Sequence, residues 1–367
     1  MSFLDRVRFT LDNLAEGSLL RDVRAAVPVG AIDFSSNDYL GMAREPAVLA
    51  ALHAAQRLGS GGSRLLSGAH PEHVALETEL AAWTGRERAL LFSSGYLAVI
   101  GAIATLAPFV EAIASDERNH ACAIDAVRLT KVPRSVYPHG DYVPYRNVPT
   151  MVVTESLFGM TGTRVDVCAM LAKLGPSDIL VVDEAHALGV AGPRGAGLCA
   201  SFADPRIVVI GTLSKALGGA GGFVAGASDA IAYLATAART FIFDTAMPPS
   251  VASALRVALA RVASDDGDAR RAIVRARTHT LIGELAAIGI VVPASDGPIV
   301  PIPIGDAAAA LAIGRDLEAR GIFAPAIRPP TVPRGESQLR VTLRSDHTEA
   351  DIRAFGRALA AALVTTR

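Results

Sequence analysis

The stretch with the clearest chemical potential is VIGTLSKALGGAGGFVAG, residues 209–226, where one lysine separates an apolar run from a cluster of glycines. Lys215 comes shortly after Thr212 and Ser214, whose hydroxyls can donate hydrogen bonds to an anion. The amine of a lysine can form a Schiff base with an aldehyde. A single loop lysine is more often a solvated surface residue, so this chemistry requires other reactive side chains beside it.

Other reactive side chains also follow apolar runs. Asp183 comes directly after ILVV, His186 follows three residues later, Glu155 ends TMVVTE, and His120 comes shortly after EAIASD. An ionised carboxylate at the end of a buried strand needs a cationic partner, which makes Asp183 a candidate for binding a ring cation. In isolation, Asp183 could equally cap the next helix and His186 could be a hydrogen-bonded core residue.

A candidate phosphate site lies at Ser94, Gly95 and Tyr96, where a predicted strand ends and a helix begins. The free N–H groups and the dipole of a helix N-terminus favour an anion, although most such junctions bind nothing. Pyridoxal 5′-phosphate combines a phosphate, a ring nitrogen that needs an acid, and an aldehyde that needs a lysine. The residues therefore predict pyridoxal 5′-phosphate as the cofactor.

These side chains need a sheet that gathers the ends of its strands. From about residue 86, apolar runs rich in valine and isoleucine alternate with helical patterns, which predicts a doubly wound α/β layer. Ligands bind outside the carboxyl ends of the strands in such sheets. Seven runs are predicted as strands, namely RALLFSS, EAIASD, RSVYP, TMVVTES, DILVVDEAH, RIVVIGT and GGFVAG.

The ends of the chain differ from this central part. Residues 250–288 are predicted as a long helical stretch rich in alanine and arginine, and a β-α-β-β-α pattern follows. We expect an N-terminal helical segment over residues 1–36, a large cofactor-binding α/β domain over residues 37–250, and a smaller α+β domain over residues 251–367.

Composition excludes several classes of protein. The 367 residues are 51% hydrophobic and 19% charged, and a net charge of −1 disfavours a protein that mainly binds nucleic acid. No run reaches the ~20 apolar residues of a membrane span. Cys122, Cys168 and Cys199 show no CxxC spacing, which indicates reduced thiols. We expect a soluble cytoplasmic protein that binds neither nucleic acid nor membranes.

Two other spacings resemble known binding motifs but do not predict a site. His70 and His73 in HPEH are three residues apart, but no third ligand follows nearby, so no metal site is predicted. Residues 195–200, GAGLCA, match a loose GxGxxG/A pattern without a preceding strand, so a dinucleotide site is not predicted.

Several longer motifs together resemble the α-oxoamine synthases. They are SSNDYLG, GSGGSRLLSG, LETELAAWTGRERALLFSSGY, DERNHACAIDA, VVDEAHALGVAGPRGAG and GTLSKALGGAGGF. The resemblance implies the fold-type I transferase architecture, with a mostly parallel seven-stranded sheet flanked by helices. It also implies a homodimer with active sites at the interface, and decarboxylative condensation of an amino acid with an acyl thioester carried by CoA or a carrier protein.

The resemblance assigns a role to each matching residue of the cofactor site. Lys215 would form the Schiff base and later accept the α-proton, Asp183 would pair with the pyridine nitrogen, His186 would contact the phenolic oxygen, and His120 would stack on the ring. The phosphate would be held by Ser94, Gly95, Tyr96, Thr212 and Ser214, with Thr245 reaching the phosphate in the partner subunit.

The substrate side of the site is implied in the same way. Arg340 in QLRVTL would clamp the carboxylate of the amino acid through a bidentate contact that lysine cannot copy. Asn37 and Arg21 would also bind substrate.

The motifs TAMPP and AIRPPTVP favour a biotin-pathway member of the family that uses L-alanine and a pimeloyl thioester. However, Gly159 stands where the α-oxoamine synthases often have serine, and the segments near Asp33 and Asp141 are shorter than the corresponding segments of that family. Another α-oxoamine synthase, such as a glycine C-acetyltransferase or an acyl-condensing enzyme of specialised metabolism, is therefore the alternative. A non-catalytic scaffold subunit is disfavoured because Lys215, Asp183 and His120 are all retained.

Overall fold

The computed structural model describes residues 1–21, 23, 27–144, 148–293, 295 and 297–365. The strands are β1 Ile32–Asp33, β2 Arg88–Phe92, β3 Ala112–Asp116, β4 Arg134–Tyr137, β5 Thr150–Glu155, β6 Ile179–Asp183, β7 Ile207–Thr212, β8 Gly222–Gly226, β9 Ile299–Gly305, β10 Ile322–Phe323, β11 Ala326–Ile327 and β12 Ser337–Thr342. The helices are α1 Phe3–Glu16, α2 Pro46–His53, α3 Pro71–Thr84, α4 Gly95–Leu106, α5 Ala121–Leu129, α6 Val167–Ala172, α7 Ser228–Ala237, α8 Arg239–Ile242, α9 Pro249–Val262, α10 Asp265–Ala287, α11 Ala307–Ala319 and α12 Glu349–Thr365.

The chain divides into two compact units. The larger unit consists of Asn37–Gly159 and Thr163–Ala272, and the smaller unit consists of Met1–Ser36, Met160–Gly162 and Ile273–Arg367.

The larger unit contains a seven-stranded sheet in the order β2-β8-β7-β6-β5-β3-β4. Strands β3 to β7 pair in parallel, whereas β8 is antiparallel to both of its neighbours. This arrangement confirms the predicted mostly parallel sheet. The chain runs outwards from β3 to β4 and then returns to β5, so the direction of winding reverses between β3 and β5. Ligand sites of doubly wound sheets lie at such a reversal.

Helices cover both faces of this sheet because its inner strands are apolar on both sides. On β5, Val153 packs in a cluster with residues of α4, α5 and α7, while the adjacent Val152 packs with residues of α6. Successive side chains of a strand point to opposite faces, so an apolar run such as TMVV needs packing partners on both faces of the sheet. Every residue of β5 and of β7 is buried.

The smaller unit contains a three-stranded antiparallel sheet in the order β11-β12-β9 and a parallel pair of β1 with β10. The order β9-α11-β10-β11-β12-α12 follows the predicted β-α-β-β-α pattern, except that the segment GIFAPAI forms two short strands, β10 and β11. At the N-terminus, α1 is capped by Ser2 and none of its residues is buried.

The predicted helical stretch over residues 250–288 consists of two helices. Helix α9 ends at Val262, and α10 begins at Asp265 with three acidic residues in its first turn. Negative charge there stabilises a helix N-terminus, which favours a new start at this point. Among the described helices, none combines the length and the apolar character needed to cross a membrane.

Candidate active site

One cavity of about 290 Å³ in the larger unit gathers most of the predicted cofactor residues. It lies at the carboxyl ends of the parallel strands, where the loops after β3, β5, β6 and β7 converge. The predicted residues that line it are Ser94, Gly95, Tyr96, His120, Asp183, His186, Thr212, Ser214 and Lys215. Glu155 and Cys122 also line it, and neither was assigned a role from the sequence.

The N-terminus of α4 forms one wall of this cavity. Ser94 caps the helix, since its side-chain oxygen accepts a hydrogen bond from the N–H of Leu97 at 3.2 Å. Within the described part of the chain, the N–H groups of Gly95 and Tyr96 donate to no protein acceptor. Two such N–H groups at the positive end of a twelve-residue helix make a suitable cradle for an anion.

Two hydroxyls from the end of β7 lie on the same side. Thr212 Oγ1 and Ser214 Oγ are 2.8 Å apart, and Thr212 Oγ1 donates to the carbonyl of Gly221 at 3.2 Å. The backbone here is packed tightly, because a β-carbon at position 222 would lie 2.5 Å from Gly95 Cα. Glycine at 222 therefore lets β8 approach the start of α4.

Lys215 and His186, which both line the cavity, contact each other. Lys215 Nζ lies 2.9 Å from His186 Nε2, and His186 is buried. The other ring nitrogen of His186, Nδ1, lies 2.6 Å from the hydroxyl of Tyr39, which is fully buried. The sequence predicted Lys215 and His186 in one site, but nothing in the motifs singled out Tyr39.

Two carboxyl groups lie at the ends of neighbouring strands. Asp183 Oδ1 accepts from the N–H of Ala185 at 2.9 Å, and the carboxyl of Glu155 accepts from the N–H groups of His120 at 2.8 Å and Gly159 at 3.2 Å. Burial raises the pKa of Glu155 to about 8, and the nearby Asp183 acts in the same direction. Glu155 ends a buried strand just as Asp183 does, and this position marked it in the sequence as a reactive side chain, although no role was predicted for it.

The acid that follows Asp183 has a different environment. Glu184 is fully buried and accepts from the N–H groups of Leu198 at 3.1 Å and Cys199 at 3.2 Å. Its burial raises its pKa to about 7. Glu184 therefore holds the loop of residues 197–199, while Asp183 lines the cavity.

His120 is positioned by Cys122. His120 Nδ1 lies 2.9 Å from Cys122 Sγ and accepts from the N–H of Cys122 at 3.3 Å. Burial raises the pKa of the Cys122 thiol far above its ordinary value, so the thiol keeps its proton. Nδ1 is therefore an acceptor, and the proton of a neutral His120 is on Nε2. Burial also lowers the pKa of His120, which favours this neutral form.

The remaining predicted residues lie outside the cavity lining. Asn37 Oδ1 accepts from the Tyr39 hydroxyl at 3.1 Å, which connects Asn37 to His186, and Thr245 is exposed in the larger unit. In the smaller unit, Arg340 is buried and donates to Thr342 Oγ1 at 3.2 Å. Arg21, also in that unit, donates to the carbonyl of Pro329 and to Thr331 Oγ1, each at 3.4 Å.

The cavity suits a small aromatic aldehyde that carries a phosphate. It offers an anion cradle at α4, hydroxyls at Thr212 and Ser214, a carboxylate at Asp183, an imidazole at His120 and an amine at Lys215. These groups lie around one space, and they match the phosphate, ring nitrogen, ring face and aldehyde of pyridoxal 5′-phosphate.

The histidines of HPEH have structural contacts. The N–H of His70 donates to His73 Nδ1 at 3.2 Å, and His73 Nε2 lies 2.8 Å from the carbonyl of Met247. In the part of the chain that is described, no group of three or more His, Cys, Asp or Glu side chains is arranged to hold a metal ion.

Comparison with protein families and curated proteins places the chain among known sequences. Residues 29–359 match the family aminotransferase class I and II. The chain is 42% identical to 8-amino-7-oxononanoate synthase of Burkholderia thailandensis over 351 residues, which cover 91% of this chain and 88% of that protein. It is 41% identical to a putative 8-amino-7-oxononanoate synthase of Bacillus licheniformis, with 87% of each chain covered.

Solved structures also share this fold. A serine palmitoyltransferase variant from S. paucimobilis with a bound PLP–myriocin aldimine has a TM-score of 0.90 and 26% identity, covering 100% of this chain and 99% of that one. An 8-amino-7-oxononanoate synthase from Francisella tularensis has a TM-score of 0.77 and 26% identity, covering 91% and 98%.

Proposed function

Because this chain belongs to the aminotransferase class I and II family and, within it, to the α-oxoamine synthases, we propose that it makes 8-amino-7-oxononanoate for biotin biosynthesis. The overall reaction condenses L-alanine with a pimeloyl thioester and releases CO2 and the free thiol. The cavity that gathers Lys215, Asp183, His120 and His186 is the observation that carries this proposal. The thioester is carried by CoA or by a carrier protein.

The enzyme is a fold-type I acyltransferase, and pyridoxal 5′-phosphate is its cofactor. When bound, this group supplies an electron sink that stabilises negative charge at the α-carbon of the amino acid. In the proposed site, Lys215 would hold the aldehyde, Asp183 would pair with the ring nitrogen, His120 would contact the ring and His186 would contact the phenolic oxygen. The phosphate would be held by Ser94, Gly95, Tyr96, Thr212 and Ser214, and by Thr245 of a second copy.

Each protein group then has one task in the reaction. The Nζ of Lys215 accepts the α-proton of the amino acid and later returns a proton to the product. The carboxylate of Asp183 keeps a proton on the ring nitrogen, since a nearby negative charge favours a protonated base. His120, held neutral with its proton on Nε2, can donate one hydrogen bond into the cavity.

Substrate binding is proposed for three residues. The guanidinium of Arg340 binds the carboxylate of the amino acid in a bidentate manner, and Asn37 is proposed to bind substrate as well. Arg21 is also proposed to bind substrate. The proposed assembly is a homodimer with sites at its interface, and its proposed location is the cytoplasm, which agrees with the three free cysteines.

A second candidate is supported by specific features. The TM-score of 0.90 to a serine palmitoyltransferase is higher than the 0.77 to the Francisella 8-amino-7-oxononanoate synthase. Gly159 also departs from the serine that is frequent in the family. A different amino acid and a different acyl chain, in the same reaction class, are therefore the alternative.

A matrix of substrates tests the choice between them. Alanine, glycine and serine are each combined with pimeloyl-, acetyl- and palmitoyl-CoA and with pimeloyl-carrier protein, and CO2 release and product mass are measured. We expect the highest kcat/KM for L-alanine with a pimeloyl thioester. A preference for another pair would overturn the biotin-pathway assignment, and the absence of CO2 release from every pair would overturn the reaction class.

A further inference from the structure

Tyr39 lies in a chain of contacts that ends at Lys215. Its fully buried hydroxyl lies 3.1 Å from Asn37 Oδ1 and 2.6 Å from His186 Nδ1, and His186 Nε2 lies 2.9 Å from Lys215 Nζ. The imidazole of His186 is thus held between a phenol on one side and an amine on the other. The proposed reaction assigns no task to Tyr39.

The positions of the protons on Tyr39, His186 and Lys215 depend on one another. The oxygen of Asn37 can only accept, and the phenol has a single proton. If the phenol donates to Asn37, its oxygen accepts from Nδ1–H of His186, and Nε2 is left with a lone pair towards Lys215. In that arrangement the ammonium form of Lys215 donates to Nε2, and a hydrogen bond to a charged group stabilises the charged form.

Gly159 allows the imidazole to occupy this position. A β-carbon at position 159 would lie 2.3 Å from His186 Nε2, well inside van der Waals contact. Gly159 is buried, and its N–H is held by Glu155 at 3.2 Å, so the backbone has little room to move away. Its φ angle is not in the left-handed region, so the glycine is required for space and not for backbone conformation.

We propose that Tyr39 and Gly159 are positioning residues for His186: the phenol selects the tautomer with its proton on Nδ1, and the glycine lets the ring reach the amine of Lys215. This inference rests on the proposed function, because it concerns the amine that holds the cofactor. The proton affinity of the Lys215 amine then depends on the hydrogen bonds that connect Asn37, Tyr39 and His186.

The proposal predicts how the Lys215 amine titrates. In Tyr39→Phe, Nδ1 loses its acceptor, so the tautomer with the proton on Nε2 becomes populated and can no longer accept from the ammonium. In Gly159→Ser, the added side chain displaces the ring from the amine. Both changes should lower the midpoint of Lys215 titration by about one pH unit, as expected for the loss of one charge-assisted hydrogen bond. The other titratable groups that line the cavity are Asp183, Glu155, His120, Cys122 and Tyr96, and all are unchanged in both variants.

The composition of the chain makes this titration measurable. It has only three lysines, Lys131, Lys173 and Lys215, so a full-length protein labelled with ε-¹³C lysine gives three lysine signals. The Lys215 signal is assigned by its loss in Lys215→Ala. The shifts are followed against pH in the protein freed of cofactor, and the visible absorbance of the cofactor-loaded protein is titrated in parallel.

Matched controls separate this effect from a general loss of packing. Tyr137→Phe removes the hydroxyl of another buried tyrosine, which donates to the carbonyl of Val153, and Gly283→Ser adds a side chain where nothing lies within 4 Å. Neither control should move the Lys215 midpoint. If Tyr39→Phe does not fold, Gly159→Ser still tests whether the contact between His186 Nε2 and Lys215 Nζ sets the Lys215 midpoint.

An unchanged midpoint in both folded variants would overturn the inference. The titration uses no substrate, so an error in the proposed acyl donor does not alter it. Conversely, an unchanged Lys215 midpoint would overturn this inference without changing which substrates the enzyme is found to use.

Discussion

Glu155 and Asp183 are paired in register at the ends of the adjacent parallel strands β5 and β6. Glu155 is buried beside Asp183, and burial together with the Asp183 charge raises the pKa of Glu155 to about 8. Two carboxylates so close together cannot both be ionised without cost, so Glu155 holds its proton near neutral pH. This relationship, together with the other contacts of the cavity, leads to five predictions.

Glu155→Gln should change how stability depends on pH in the cofactor-free protein. Between its ordinary pKa of 4.5 and about 8, Glu155 holds a proton in the folded state that the unfolded chain has lost. This contribution is complete below pH 4.5 and disappears as the pH rises through about 8. The difference in unfolding free energy, wild type minus variant, should therefore fall across that window.

Urea denaturation at a series of pH values measures this difference. Glu184, whose pKa is also raised, is present in both proteins, so its contribution cancels. Glu111→Gln, at an exposed position, is the control. A difference that is constant with pH would contradict the prediction.

Lys215→Ala should reduce turnover by at least ~10³-fold while the fold is retained, because in the proposed reaction the amine both holds the cofactor and transfers the α-proton. Borohydride reduction of the loaded wild type followed by peptide mass analysis should place the cofactor on Lys215 and leave Lys131 and Lys173 unlabelled. Lys131→Ala, at an exposed position, should behave as wild type. Amino-ketone formation by Lys215→Ala at the wild-type rate would refute the assignment.

Asp183→Asn should slow exchange of the α-proton of bound alanine by about 10²–10³-fold, since an amide cannot keep the ring nitrogen protonated. Deuterium incorporation at that carbon, followed by NMR in the absence of thioester, isolates this step. Asp229→Asn, an exposed residue in the first turn of α7, is the matched control. Equal incorporation in Asp183→Asn and wild type would count against the pairing.

Cys122→Val should weaken the preference of His120 for the tautomer with its proton on Nε2, because only the longer contact from the backbone N–H of residue 122 then donates to Nδ1. Cys122→Ser should preserve that preference, because serine keeps a side-chain donor towards Nδ1. Turnover should fall by about two- to tenfold in the valine variant and recover in the serine variant. The ¹⁵N shifts of the His120 ring, among eight histidines in the chain, report the tautomer directly. Identical ring shifts in all three proteins would show that the thiol does not position His120.

Thr245→Val should weaken binding of pyridoxal 5′-phosphate by about tenfold if its hydroxyl binds the phosphate in a second copy of the chain. Equilibrium titration of absorbance gives the Kd. Thr236→Val, an exposed threonine on α7, is the control with the same change in shape. Sedimentation should give a mass of about twice 38.0 kDa. A monomeric protein in which Thr245→Val and Thr236→Val bind the cofactor equally well would exclude this role of Thr245.

Much of the site could be predicted from sequence because strand-end position is a local property. Buried strands appear as apolar runs, and the carboxyl ends of parallel strands meet at one edge of a sheet. This rule was sufficient to predict that Lys215, Asp183, His186 and His120 lie in one site. The candidate anion cradle at Ser94 was predicted because a strand there precedes a helix. The antiparallel direction of β8 was not predicted, because an apolar run has the same pattern in either direction.

The amino-acid sequence by itself thus predicted which residues would carry the chemistry and on which elements they lie. Only the tertiary structure decided how those residues are held. The phenol of Tyr39 contacts His186 across 147 residues of chain, and a ring from a different loop occupies the space that a side chain at position 159 would need. Such contacts depend on how side chains from distant segments fill the same space, and neither periodicity nor spacing along the chain records that packing.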